Sequence, residues 1–362
     1  MTFTPLKYKA KIPTDFFKTL KSRIDNYFIV TNQLRVGDYR MYLKTLVMLT
    51  TYLVPFYFVV FEDIQSTWVY LFLWFVMGVF MAGIGFSVMH DAIHGSYSKY
   101  KSLNKILGEV INFVGGASIN WKIQHNVLHH TYTNIEEYDQ DLDAPSILRF
   151  SPNQKKLKLH KYQHIYAWLI YCLLTLNWAT YKDFNSILRY KKMGLIGGGK
   201  NQFAIELTKI ILTKIFYFSF ILFLPLYFSS ASAITSIIGF FIMHGLASLI
   251  LSSIFQPAHV MEACGFDTAG VDNVIKQDWA AHQILNTVNF APKNKLLSWF
   301  AGGLNFQIEH HLFPNICHIH YKDLSKIVEE TAKEYGLPYF VQPTFRSALF
   351  SHAKMLKKLG TT

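Results

Sequence analysis

The sequence predicts an all-α membrane protein of four transmembrane helices with a helical cap on the cytosolic side. Three observations carry this prediction. Four apolar stretches are each long enough to cross a bilayer, which takes about 20 residues. Basic residues collect at one end of every stretch and are missing from the short connections at the other end. Composition agrees: of 362 residues, 51% are hydrophobic and 16% aromatic, with positive mean hydropathy, which suits one continuous membrane-embedded body better than two soluble domains.

Residues 1–40 read as a cytosolic N-terminal segment. They carry Lys7, Lys9, Lys11, Lys18, Lys21, Arg23, Arg35 and Arg40 against Asp15, Asp25 and Asp38, and they lack the short apolar core and cleavage site of a signal peptide. A single body is expected over 41–340. Its first two spans are placed at 41–61 and 68–89, joined by Glu62-Asp63-Ile64-Gln65-Ser66-Thr67. The third and fourth are placed at 208–228 and 231–255, joined by Ser229-Ser230. Neither hairpin holds Lys or Arg, so the positive-inside rule puts both termini and the 90–207 region in the cytoplasm. Residues 103–119 and 165–180 are shorter or interrupted apolar stretches and read as interfacial or re-entrant helices rather than full spans. Gly197-Gly198-Gly199 reads as a linker, without the residues of a phosphate loop. Residues 341–362 form a cytosolic C-terminal tail.

The net charge of +12 follows largely from this sidedness, and it also suits anionic lipid headgroups or a phosphate-bearing substrate. No nucleic-acid partner is expected. Cys172, Cys264 and Cys317 are odd in number and widely spaced, so no disulfide framework is expected.

Three histidine clusters fall on the cytoplasmic side: His90-Asp91-Ala92-Ile93-His94, His125-Asn126-Val127-Leu128-His129-His130 and Gln307-Ile308-Glu309-His310-His311. On a helix, residues i and i+4 project from one face, and neutral imidazole ligates iron, zinc or copper. Seven imidazoles can hold a di-metal site in the cap, which points to redox chemistry at a membrane surface. Asp91 and Glu309 are candidates to receive the second N–H of ligating histidines. Asp139, Asp141 and Asp143 resemble the start of a calcium loop, but Ala144 stands where that loop needs glycine and Phe150 where it needs glutamate. A solvated acidic turn, or support of a ligand by one aspartate, is expected there. His160 and His164 repeat the i, i+4 spacing in a Lys-rich polar stretch and read as solvent-facing; mid-span His244 reads as a core histidine. Other classes fit less well. A metal transporter would place ionisable groups at mid-bilayer, and a zinc hydrolase uses only three ligands.

The segments HDAIHG, HNVLHHTYTN and LNFQIEHHLFP resemble the membrane fatty-acid desaturase family, the third being in the QxxHH form of its front-end and bacterial acyl-lipid members. The likeness covers most of the chain. It implies four spans and a cytosolic cap holding two irons through His90, His94, His125, His129, His130, His310 and His311. It also implies a further ligand at the end of the fourth span, where Gln256-Pro257-Ala258-His259 fits and His282 is a rival. Gln307 stands where other desaturases have histidine; whether its amide ligates, holds a metal-bound water or is structural stays open at this point. The sequence has no HPGG haem motif, so electrons are expected from a separate ferredoxin or cytochrome b5.

The implied activity uses O2 and two electrons to insert a cis double bond into an acyl chain. Front-end placement, near the fifth or sixth carbon, is favoured over the ninth, and a hydroxylase or ketolase on the same irons is the enzymatic alternative. An unactivated methylene has no leaving group and no acidic proton, so its oxidation is a cofactor's work. Placing one C–C pair at the metals needs a long apolar tunnel. Phe75, Phe80, Phe86, Phe240 and Phe241 could line it, although a lipid-facing position is the stronger expectation for any single one. Acyl-CoA and acyl-lipid substrates are both compatible. Lys99, Lys101, Lys105 and the lysines of 155–161 are candidates for the donor's docking face, and His318 and His320 for cap surface or the same docking.

Overall fold

The computed structural model describes residues 3–10, 15–142, 146–268, 270 and 272–362. Four helices are long and apolar enough to cross a membrane: Tyr39–Phe61, Thr67–His94, Gln202–Phe228 and Ala233–His259. Three of them start on side-chain caps, with Asp38, Ser66 and Ser232 accepting hydrogen bonds from Arg40, Val69 and Thr235 N–H groups. The second and fourth helices run further than the apolar pattern indicates. The second ends at His94 and the fourth at His259, so the first histidine cluster is the last turn of a span rather than a loop beyond it.

The second span is the centre of the bundle and packs on the first and the fourth. Small residues allow close approach. A Cβ on Gly78 would stand 2.7 Å from the Met243 carbonyl oxygen, and Gly239 lies directly against the Trp74 ring. Outward faces carry Leu43, Leu46, Phe58, Phe72 and Phe216, all exposed, as lipid contact requires. At the hairpin end Trp68 and Tyr227 are each 83% exposed, an interfacial aromatic belt. There the Ile64 N–H donates to Ser230 Oγ at 3.2 Å, joining the two hairpins.

The interfacial stretches form as broken helices. The first runs Lys101–Gly108 and Glu109–Val114, then turns at Gly115 (φ 87°) into Ser118–Trp121 and Lys122–His129. The second runs Gln163–Tyr171, Leu174–Asn177, Trp178–Lys182 and Asp183–Met193. Ile106, Phe113, Ile165, Leu169 and Leu173 stay exposed along them. Buried Lys214 of the third span ties both stretches down, donating to the Gly115 carbonyl at 2.6 Å, the Trp178 carbonyl at 3.0 Å and the Asp183 carboxylate.

In the cap, helix Phe16–Thr31 places Phe16, Leu20, Ile24 and Phe28 at i, i+4 spacing on one buried stripe. That stripe packs on Leu324, Val328 and Ala332 of helix Tyr321–Glu334, and Arg23 grips Glu334 through two hydrogen bonds of 2.9 and 2.7 Å. Two short parallel strand pairs, Lys7–Tyr8 with Val274–Ile275 and Asn289–Phe290 with Val341–Gln342, knit distant segments. Helix Phe345–Thr361 lies on residues 158–171 and the end of the fourth span. It covers His160, which is buried against the expectation of a solvent-facing ring; His160 Nε2 donates to the Ser146 carbonyl at 2.9 Å and Nδ1 accepts from Leu157 N–H at 3.0 Å.

Candidate metal centre

Helix irregularity sets the positions of the histidines. The second span widens into an i→i+5 turn over Gly85–Met89 just before His90, and a longer such segment, Lys122–His129, carries the second cluster. In a regular α-helix His130 would point about 140° away from His125. The wider turn instead lets residues four and five apart flank one direction, so His125, His129 and His130 face a common centre. The third cluster sits on the short helix Gln307–Leu312, fixed at its start by Asn289 Oδ1, which accepts from the Ile308 N–H at 2.9 Å.

The sequence-predicted residues come together in two groups. In one, nitrogens of His90, His94, His125 and His310 all lie within 4.8 Å of one another; in the other, those of His129, His259 and His311 do. His130 stands between them, its Nε2 3.2 Å from His125 Nε2 and its ring stacked on His311 at 4.5 Å. Gln307 joins the second group, with Nε2 3.0 Å from His259 Nε2 and 3.4 Å from His311 Nε2. All are buried except half-buried His94.

This donor set fits metal ions. His94 Nε2, His129 Nε2, His310 Nε2 and Gln307 Oε1 are buried without a hydrogen-bond partner, a cost that proteins rarely accept at four neighbouring atoms. Burial, then the neighbouring imidazoles, hold His125, His130, His310 and His311 well below the ordinary histidine range. They are therefore neutral lone-pair donors, the form that binds metal. The outward ring nitrogens are tied back. His129 Nδ1 donates to Asp139, His311 Nδ1 to Gln283 Oε1 at 2.9 Å, His259 Nδ1 to the Asn286 carbonyl at 3.3 Å, and His310 Nδ1 lies 3.2 Å from Tyr321 Oη. Burial alone would lower His129, but Asp139 and Asp141 outweigh it and raise it to about 9. Such outer partners fix tautomer and ring orientation.

A family model for fatty acid desaturases matches residues 66–343. The chain belongs to the fatty acid desaturase family. Over 361 residues it is 35% identical to the sn-1 linoleoyl-lipid 6-desaturase of Synechocystis sp., covering 99% of both chains. It is likewise 35% identical to an acyl-lipid (8-3)-desaturase of Physcomitrium patens, over 99% of this chain and 74% of the relative. With the Delta(5) fatty acid desaturase A of Dictyostelium discoideum it shares 32% identity, over 96% of this chain and 75% of that one.

The structure corrects several expectations for this desaturase. His282 is not in the cluster: its Nε2 donates to the Thr133 carbonyl at 2.7 Å and its Nδ1 lies 3.2 Å from Asp267. It shapes the turn after the second cluster, while His259 takes the place at the centre. Among the described residues Glu309 bonds none of the clustered histidines and instead accepts from Asn289 and Tyr339, each at 2.8 Å. Asp91 lies 3.6 Å from His90 Nδ1, but its close partner is His318 at 2.7 Å. His318 is thus buried rather than cap surface, and Lys44 of the first span donates to its Nε2 at 2.7 Å. His320 is buried too. His244 is a core histidine as expected, bonded to Thr175 and Tyr217. Asp139 accepts from His129 Nδ1 and Asp141 lies 3.4 Å from the same His129 ring; Asp143 lies outside the described residues. Sequence reasoning missed Tyr321 and Gln283, which meet His310 and His311 from distant segments, and Thr133, whose Oγ1 donates to the His129 carbonyl and lies 3.2 Å from His311 Nδ1.

A largely apolar cavity of about 350 Å³ opens against His125, His129 and His259. The five phenylalanines proposed for a tunnel do not line it. Phe75 and Phe241 face outward at 45% and 53% exposure, Phe80 and Phe86 pack on Phe300, and Phe240 on His244. The cavity lies between the second interfacial stretch, the second cluster and the end of the fourth span, at the level of the clustered histidines.

Proposed function

We propose that this desaturase inserts a cis double bond near the carboxyl end of an acyl chain carried on a membrane lipid. The observation that carries this reading is the pairing of two histidine groups with a cavity of hydrocarbon character at their edge. The relatives' printed activities, a 6-desaturase, an (8-3)-desaturase and a Δ5 desaturase, favour front-end placement, and two of the three act on acyl lipids by name. Acyl-CoA is the other carrier considered.

One ion would be held by His90, His94, His125 and His310, the other by His129, His259 and His311, with His130 between them and Gln307 at the second. Gln307 Oε1 is a neutral donor there and leaves room for O2. Histidine-rich sites with an O2-dependent oxidation to perform suit iron, and the two irons supply the oxidation that takes two hydrogens from adjacent carbons. The balance is one O2, two electrons and two protons, with two waters formed beside the alkene. The protein's own part is to hold the carbon pair beside the metals, keep bulk water out through burial of the histidines, and fix each ring through Asp139, Gln283, Tyr321 and the Asn286 carbonyl.

Both termini and the histidine cap lie in the cytoplasm in this reading, where an external one-electron donor, ferredoxin or cytochrome b5, delivers electrons to the basic face. Expression in a host fed defined fatty acids, with double bonds located by mass spectrometry, tests the activity. A product gaining oxygen instead of losing hydrogen would mean a hydroxylase; a bond made only at the ninth carbon of saturated chains would overturn front-end placement.

A further inference from the structure

The C-terminal helix Phe345–Thr361 carries a surface that the metal centre does not use. It runs antiparallel to residues 160–171 and is tied to them along its length. Gly360 lies directly against the His160 carbonyl, Gln163 Nε2 donates to the Leu356 carbonyl at 2.8 Å, and Tyr171 donates to His352 Nε2 at 2.7 Å. His352 Nδ1 donates in turn to the Val260 carbonyl at 2.9 Å, which sets the helix beside the end of the fourth span. The partner stretch continues into the bilayer, because Thr175 Oγ1 lies 2.8 Å from Nδ1 of mid-span His244. The helix therefore stands where the spans leave the hydrocarbon.

Two chemical patterns meet on its outward side. The first is apolar. Ile165, Leu169 and Leu173 recur at i, i+4 spacing and are exposed, Leu169 to 72%. Across a groove lined by Trp168, Arg346 and Ala353 stands Phe350, 73% exposed. A ring left that bare beside such a strip extends the lipid-facing surface of the spans. The second pattern is basic. Lys155, Lys156, Lys158 and Lys161 precede the strip, and the helix adds Arg346, Lys354, Lys357 and Lys358; all eight are exposed, and neither 144–182 nor 335–362 holds Asp or Glu. Glu262 answers Lys354 and Lys358, and the carbonyls of Thr361 and Thr362 accept from Lys156. Lys155, Lys158, Arg346 and Lys357 pair with no carboxylate among the described residues.

We infer that the C-terminal helix is seated in the headgroup layer on the histidine side of the membrane, with Phe350 among the first carbons of the lipid chains and Arg346, Lys357, Lys155 and Lys158 on phosphates of anionic phospholipid. Arg346 and Lys354 lie one turn either side of Phe350, so their stems cover hydrocarbon beside the ring while their charges reach outward. A basic cluster of this size at a membrane edge draws anionic lipid. The same lysines could serve a soluble electron donor, but such a partner would leave Leu169 and Phe350 bare, and lipid covers both. Residues 345–361 are thus part of the membrane-seated body and not a free tail.

The test uses the full chain in nanodiscs of phosphatidylcholine mixed with phosphatidylglycerol, and neither readout involves desaturation. A spin label on Phe350→Cys is introduced together with Cys172→Ser, since Cys264 and Cys317 are buried. It should be relaxed more by oxygen, which collects in hydrocarbon, than by a water-soluble nickel chelate; a label on Lys326→Cys of the cap should show the opposite. Nickel-dominated relaxation at position 350 would overturn the inference. The headgroup contact is read from the fraction of spin-labelled phosphatidylglycerol, against phosphatidylcholine, that the protein immobilises. Lys155→Gln, Lys158→Gln, Arg346→Gln and Lys357→Gln together should lower the preference for phosphatidylglycerol about threefold, and arginine at the three lysines should keep it. An unchanged preference would overturn the contact, and a raised KM for the reduced electron donor in that same variant would then assign the face to the donor.

Discussion

His129 Nδ1 lies 3.0 Å from both carboxylate oxygens of Asp139, and that carboxylate is in turn held by the N–H groups of Asn134 at 2.8 Å and Asp141 at 2.9 Å. The pair fixes which nitrogen of His129 faces the centre. Asp139→Asn keeps the shape but removes the charge. It should weaken iron binding about 10- to 100-fold and also lower the thermal stability of the metal-free chain, because the amide NH2 faces one of the two backbone N–H donors that the carboxylate accepts. Iron titration followed by calorimetry measures both, and unchanged affinity would remove Asp139 from the assignment.

His259 and His282 separate by metal count. His259→Ala should lower bound iron from two equivalents to one and abolish turnover. His282→Ala should leave two irons bound, because its ring serves the Thr133 carbonyl. The converse result would exchange their roles.

Sidedness is tested with single cysteines. A cysteine at Ser66, on the first hairpin, should react with an impermeant reagent in intact cells, and one at exposed Ser102 should react only after lysis. The reverse pattern would invert the topology.

The C-terminal helix should loosen in acid. Burial pushes His352 down to about 4 from an ordinary value near 6.5, so folding favours its neutral form. Its contribution is complete above pH 6.5 and is lost as pH falls from 6.5 towards 4, on the order of 3 kcal/mol in total. Melting curves of the native chain and His352→Gln should diverge at neutral pH and converge near pH 4. Parallel curves would show that this ring does not couple to pH.

Close packing of the spans sets a further expectation. Because a Cβ on Gly78 would meet the Met243 carbonyl oxygen at 2.7 Å, Gly78→Val should destabilise by about 1–3 kcal/mol, measured by denaturation in detergent. A neutral effect would mean that the second and fourth spans shift freely.

The spans and the three histidine clusters were legible because each is a local pattern: a run of apolar residues, or rings at helical spacing. Two things hid the rest. The widened turn at 122–129 cannot be read from spacing, although it alone brings His130 round beside His125. Gln283 and Tyr321 meet their histidines across loops, and His160 is buried only because a helix 200 residues away docks on it, shown by Gln163 Nε2 donating to Leu356 carbonyl across 193 positions. The cavity's place was hidden for a related reason, while the lipid-facing expectation for Phe75 and Phe241 holds. Apolar content marks where lipid or substrate can lie, and in a span the two look alike.

The clasp between Arg23 and Glu334 also orders events during synthesis. The helix carrying Phe16, Leu20, Ile24 and Phe28 leaves the ribosome early, yet the surface that covers it includes Val328 and Ala332, and Arg23 meets Thr331 across 308 positions. At roughly 5–20 residues per second, that stripe waits on the order of 15–60 s for its partner. The histidines of the third cluster emerge only shortly before it. Closure of the cap over this stripe is therefore a late step, and a ribosome stalled before residue 300 leaves an apolar helix of the cap uncovered.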